Sequence, residues 1–111
     1  MATPLTTPDG RYIIVRGRLW RASDPRLTES ERTALVKELG AARRAVKDAL
    51  RSENLKQLAT ARAAVHAAKV ALGERGPPWW DDGAKDFNRY LVKNTPYAQW
   101  YAGVMDGGDF A

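Results

Sequence analysis

The chain of 111 residues contains no cysteine, which excludes disulfides and thiolate metal sites and leaves its redox compartment unread. Its single histidine, His66, is too little for a histidine-built metal centre. Long apolar runs are also missing, and none approaches the roughly 20 residues needed to cross a bilayer. The first residues carry neither a basic n-region nor an apolar h-region, so no signal peptide is expected. These absences predict a soluble cytoplasmic protein without a membrane partner. No residue set forms a catalytic signature, so a non-enzymatic protein without a cofactor is the favoured expectation.

What is present is a charge asymmetry. The net charge is +5. Residues 1–26 carry five arginines against Asp9 and Asp24, whereas residues 79–111 carry Lys85, Arg89 and Lys93 against five aspartates. A basic front and an acidic back fit an anionic partner or head-to-tail self-association.

The stretch from Leu27 to Gly73 dominates the pattern. Thr28 with Glu31 three residues on forms a capping box, and Glu29 and Glu31 put negative charge where a helix dipole favours it. Leu35, Leu39, Ala42, Val46 and Ala49 then recur at spacings of four and three. Leu58, Ala61, Val65, Ala68 and Leu72 make a second stripe, out of phase with the first. The phase changes at Arg51-Ser52-Glu53-Asn54, so two antiparallel helices in a hairpin are expected. The lack of Gly or Pro there leaves one continuous helix as the alternative. Seams so rich in alanine bury little area at about 25 cal/mol per Å². They are therefore expected to need the tail, or a second copy of the chain, to complete their core. Arg43, Arg44, Lys47 and Arg51 suit the end of the first helix by the dipole alone.

Around the hairpin the expected order is a flexible lead-in over 1–10 and a single domain over 11–105, followed by a frayed end over 106–111. Within the domain, 11–26 is a basic ribbon, 27–73 the hairpin and 79–105 an aromatic-rich tail. Tyr12-Ile13-Ile14-Val15 reads as a strand, Arg16-Gly17 as a tight turn and Arg18-Leu19-Trp20-Arg21 as the returning strand. A two-stranded ribbon is marginal alone, so its apolar face is expected to lie on the helices. Gly73, Gly76, Pro77 and Pro78 stop the second helix. Asp82 is expected to cap a short helix over Ala84–Lys93, and Thr95-Pro96 to open a last one. The fold class is therefore mainly α: an antiparallel helical hairpin with a short N-terminal β-ribbon and two short C-terminal helices packed on it.

Three candidate sites follow. Arg11, Arg16, Arg18 and Arg21 around Tyr12 and Trp20 combine phosphate-binding charge with stacking rings, the mixture used on single-stranded nucleic acid. A solvated ribbon with both rings in the core is the plainer alternative. Asp81, Asp82 and Asp86, with Asn88 and Arg89 nearby, offer oxygen ligands for a hard cation beside a phosphate-binding arginine. As helix-start aspartates they are more simply caps. His66, flanked one turn away by Arg62 and Lys69, reads as a boundary residue of the hairpin. Trp79, Trp80, Tyr97 and Trp100 read as core that covers its shallow seams.

The runs Tyr12–Arg21, Ala71–Trp80 and Asn94–Trp100 resemble those of a family of small uncharacterised bacterial proteins. The resemblance spans about Gly10 to Trp100 and implies a bacterial, intracellular, single-domain protein, with no activity or site residues to carry over. Three functions remain in view: a nucleic-acid-binding module, a homodimer or protein-interaction module using the hairpin seam, and a metal-dependent enzyme acting on a phosphorylated substrate.

Overall fold

The computed structural model describes residues 4–107, and they fall into two compact units. One is discontinuous, built from residues 4–22 and 82–107; the other is residues 23–81.

The continuous unit is a helical hairpin, α1 over Glu29–Arg51 and α2 over Leu55–Leu72. Thr28 caps α1 as expected: its hydroxyl accepts from the Glu31 amide at 3.0 Å, and the Glu31 carboxylate accepts from the Thr28 amide at 2.9 Å. Asn54 caps α2 by accepting from the Gln57 amide. The two helices pack along their full seam, and every residue of both stripes is buried or half-buried. Leu39, Ala68 and Leu72 form its densest cluster, with Leu27, Leu35 and Val65 against them.

Two helices form, rather than one, because Glu53 takes the left-handed conformation at φ 56. The Glu53 amide then donates to Leu50 O and the Asn54 amide to Ala49 O, closing α1 with a Schellman-type cap. Gly73, at φ 87, closes α2 in the same way, with the Glu74 amide donating to Lys69 O. A Cβ on Gly73 would come within 2.9 Å of Asp24 Cβ and 3.1 Å of Trp79 Cδ1. The reversal after Gly76-Pro77-Pro78 leaves Trp79 and Trp80 half-buried and in edge-to-face contact, 5.1 Å apart.

The discontinuous unit holds a three-stranded antiparallel sheet, β1 over Leu5–Thr6, β2 over Tyr12–Val15 and β3 over Arg18–Arg21. β1 corrects the reading of residues 1–10 as a lead-in without structure. Its two pairs, Leu5 with Ile14 and Thr6 with Ile13, carry no periodicity that a sequence could display. Thr7 fixes the bend that follows: buried, it exchanges hydrogen bonds with Tyr12 through both its amide and its hydroxyl. Residues 1–3 of that lead-in and 108–111 of the expected frayed end lie outside the described residues.

The expected helix over Ala84–Lys93 is also corrected. Only a 3₁₀ turn over Val92–Asn94 forms, while Gly83 and Arg89 have positive φ. The physical reason is a competing use of the backbone. Leu19 N–H donates to Tyr90 O, Arg89 N–H to Leu19 O and Val92 N–H to Gly17 O, so this segment completes the open edge of β3. Tertiary pairing overrides helix propensity here. Of the two C-terminal helices expected, one is present, α3 over Ala98–Gly107. Thr95 precedes it, donating to Val92 O at 2.7 Å and accepting from the Tyr97 amide.

The inner face of the sheet needs a covering layer, and residues 86–97 of the same unit supply one. Tyr12, Leu19 and Val92 are fully buried there. The Tyr97 ring meets those of Tyr12 and Phe87 edge-on, with centroids 5.6 and 6.4 Å away.

Candidate nucleic-acid interface

The turn Arg16-Gly17 fixes which residues of the ribbon face outward. Both have positive φ, 55 and 75, the geometry of a two-residue hairpin turn. The register is then Val15 with Arg18, Ile14 with Leu19, Ile13 with Trp20 and Tyr12 with Arg21. Since paired residues share a face and successive pairs alternate, Ile14 and Leu19 take Tyr12 and Arg21 inward with them. Ile13, Val15, Arg18 and Trp20 form the opposite face.

The six predicted contact residues therefore separate into two sets. Tyr12 is fully buried and cannot stack on a base: its hydroxyl donates to Asp86 Oδ1 at 3.1 Å and accepts from the Phe87 amide at 2.7 Å. Burial pushes the Tyr12 phenol up to about 12, and the nearby Asp86 carboxylate adds to the shift. Arg21 is likewise buried, with a guanidinium nitrogen 3.4 Å from Asp86 Oδ2 and its amide donating to Asn88 Oδ1. These two are core residues of the sheet unit, which corrects their assignment to a binding surface. Arg11 stands at the margin, its guanidinium bonded to the Asp82 carboxylate and 4.0 Å from that of Asp9.

Arg16, Arg18 and Trp20 remain on the outside. With Val15 they line an open hollow of about 450 Å³. Trp20 is 38% exposed and Val15 43%. The Arg18 guanidinium donates to the Arg89 carbonyl, which steadies it without cancelling its charge. Among the described residues, neither Arg16 nor Arg18 forms an ion pair, whereas Arg11, Arg21 and Arg26 each face a carboxylate. The five arginines of the basic front thus divide into three that are neutralised and two that are not. The signal that separates Tyr12 and Arg21 from Trp20 and Arg18 was present in the turn, because a two-residue turn dictates the register. Val15, which floors the hollow, follows from the same rule.

The aspartates do not gather. Among the described residues no group of three or more His, Asp or Glu side chains could hold a metal ion. Asp82 is engaged by Arg11 and by the Ala84 amide, and those bonds from Arg11 and Ala84 hold its carboxyl below its ordinary value. Asp86 is engaged by Tyr12, Arg21 and the Asn88 amide. Asp81 is exposed and belongs to the other unit. The candidate metal set Asp81, Asp82 and Asp86 is accordingly corrected to one exposed residue and two that secure the fold. His66 is exposed on α2, with its Nδ1 3.4 Å from an Arg75 nitrogen.

No protein-family model, no curated protein and no solved structure matches this chain. Among the described residues, no helix is long and apolar enough to cross a membrane.

Proposed function

We propose that the protein is a non-enzymatic binding module for single-stranded nucleic acid, using the outward face of the β2–β3 ribbon. Arg16 and Arg18 contact phosphates, Trp20 stacks on a base, and Val15 packs against the same base or its sugar. The observation that supports this reading is the occupant of the turn. Arg16 sits at φ 55, where Asn or Gly would be favoured, and its side chain makes no ion pair among the described residues. An arginine there costs the turn some stability relative to Asn or Gly, which favours a use of its side chain outside the fold. A cytoplasmic setting goes with this reading.

Anisotropy titration of single-stranded oligonucleotides at low ionic strength tests it. Affinity should fall with salt at a slope of about 0.7 per phosphate neutralised. Trp20→Ala should cost roughly 1–3 kcal/mol of binding. The paired change Arg16→Ala and Arg18→Ala should abolish binding and flatten the slope, while Asp81→Ala leaves both unchanged. Absence of any salt-sensitive association would make these arginines a solvated edge.

Self-association through the hairpin would then take first place. One observation favours it as the second reading: α2 is apolar around much of its circumference, and Leu50, Leu55, Val36 and Val70 are exposed on the two helices. Light scattering that reports a monomer at high micromolar concentration would remove it.

A further inference from the structure

The hairpin unit carries a second cluster of cations, and the helix dipole does not reach it: Arg43 lies before the last turn of α1, where Arg51 alone is basic, and Arg62 lies mid-way along α2. Arg43 of α1, Arg62 of α2 and Arg75 beyond the end of α2 line a single cleft of about 390 Å³, whose remaining walls are Val46 and Val65. Ligand clefts run from roughly 300 to 1,000 Å³, so the volume suits a small molecule. Among the described residues none of the three arginines forms an ion pair. The helix periodicity explains why for two of them. The positions one turn from Arg43 hold Leu39, Gly40, Val46 and Lys47, and those one turn from Arg62 hold Leu58, Ala59, Val65 and His66, without a carboxylate. Arg44, by contrast, has Asp48 four residues on. The nearby Glu74 carboxylate accepts from the Ser23 hydroxyl at 2.8 Å. Arg75 has the His66 ring as a neighbour, its Nδ1 3.4 Å from a guanidinium nitrogen, and that contact brings no carboxylate to the cleft.

Three arginines lining one cleft without counter-charge raise the local positive potential there. Such an arrangement is stabilised by an anion that several planar forks can grip together, and a phosphoryl group has the oxygens to accept from more than one of them. The two valines are apolar and would be covered by an organic group, not by a second charge. We infer that this cleft binds a phosphomonoester whose organic part is apolar, with Arg43, Arg62 and Arg75 on the phosphoryl oxygens and Val46 and Val65 against the organic part. The inference stands on the hairpin unit alone and does not rest on the reading of the ribbon.

Isothermal titration of the full chain with phenyl phosphate and with inorganic phosphate tests it. Phenyl phosphate should bind saturably at one site, about tenfold tighter than inorganic phosphate because a ring covers the valines. Arg62→Gln should weaken phenyl phosphate about tenfold or more, the scale of a lost hydrogen bond to a charged group. Lys37→Gln removes the same charge from a different hollow of α1 and should change nothing, and so should the combined Arg16→Ala and Arg18→Ala variant. Far-UV circular dichroism checks that each variant folds, and Arg43→Gln gives the same readout should Arg62→Gln not fold. No saturable binding, equal affinity for the two probes, or equal weakening by Lys37→Gln would each overturn the inference.

Discussion

The Tyr12 hydroxyl ties the core of the sheet to a segment more than seventy positions later, donating to Asp86 Oδ1 while accepting from the Phe87 amide. Tyr12→Phe keeps the ring and removes both bonds, leaving a carboxylate and an amide short of a partner. A loss of about 1–3 kcal/mol is expected, read as a lower denaturation midpoint at unchanged slope. Burial of the same phenol, with the Asp86 carboxylate beside it, bears on alkaline stability. The folded phenol titrates above its ordinary 10.0, at about 12, so its contribution is complete below 10.0 and is lost as pH rises through 12. Absorbance titration at the phenolate band should show Tyr12 ionising only as the fold opens, and a normal titration would contradict its burial.

Acid should act through a different carboxylate. Burial works to raise Asp9, but hydrogen bonds from the Tyr97 hydroxyl at 2.5 Å, the Thr7 hydroxyl at 2.7 Å and the Arg11 amide outweigh it and hold Asp9 below 3.8. A lowered folded value means that the stabilisation is present above 3.8 and is lost as pH falls through the folded value. Asp9→Asn is expected to be less stable at neutral pH and to show a flatter acid limb, measured by thermal melts across the pH series. An unchanged acid limb would show that Asp9 does not hold Tyr97.

Two glycines should respond in opposite senses to alanine. Gly73 has φ 87 and a Cβ there would press on Asp24 and Trp79, so Gly73→Ala should destabilise by more than about 1 kcal/mol. A Cβ added at Gly40, inside α1, would meet only an Arg44 nitrogen at 3.6 Å, an ordinary contact. Gly40→Ala should stabilise by about 0.5–1 kcal/mol. Parallel urea melts of the two variants check the contrast.

The hairpin turn offers a gain of the same origin. Glu53 holds the left-handed position that most helix ends give to glycine. Glu53→Gly removes the Cβ penalty and should raise stability by up to about 1 kcal/mol, less the added freedom of the unfolded chain. A melting temperature below that of the parent would mean that the Glu53 side chain stabilises the turn in another way.

Glu53 also marks the limit of what the sequence discloses. The hairpin was legible because its signals are local: a capping box at Thr28, and stripes whose ten residues all turn inward. The turn was legible only as a break in phase, since a glutamate at positive φ announces nothing. Residues 84–93 misled because their own pattern favours a helix, while their backbone is recruited by a strand some seventy positions earlier. β1 is too short to show alternation. At the site, Arg16, Arg18 and Trp20 were visible as residue types in the right place. Tyr12 and Arg21 share those residue types, and only the register set by the Arg16-Gly17 turn places them on the buried face.

The division of the chain sets an order of assembly. The hairpin is inserted between the two segments that build the sheet unit, so β3, which ends at Arg21, meets its edge partner at Arg89 only after the 67 residues between them have been made. Closing a flexible loop of that length costs entropy that grows as the logarithm of its size. The hairpin forms from neighbours in sequence and can fold while the rest is still being synthesised. Until Tyr90 and Val92 emerge, β3 is a bare strand edge, and in that interval the nascent chain is most exposed to pairing with the wrong partner.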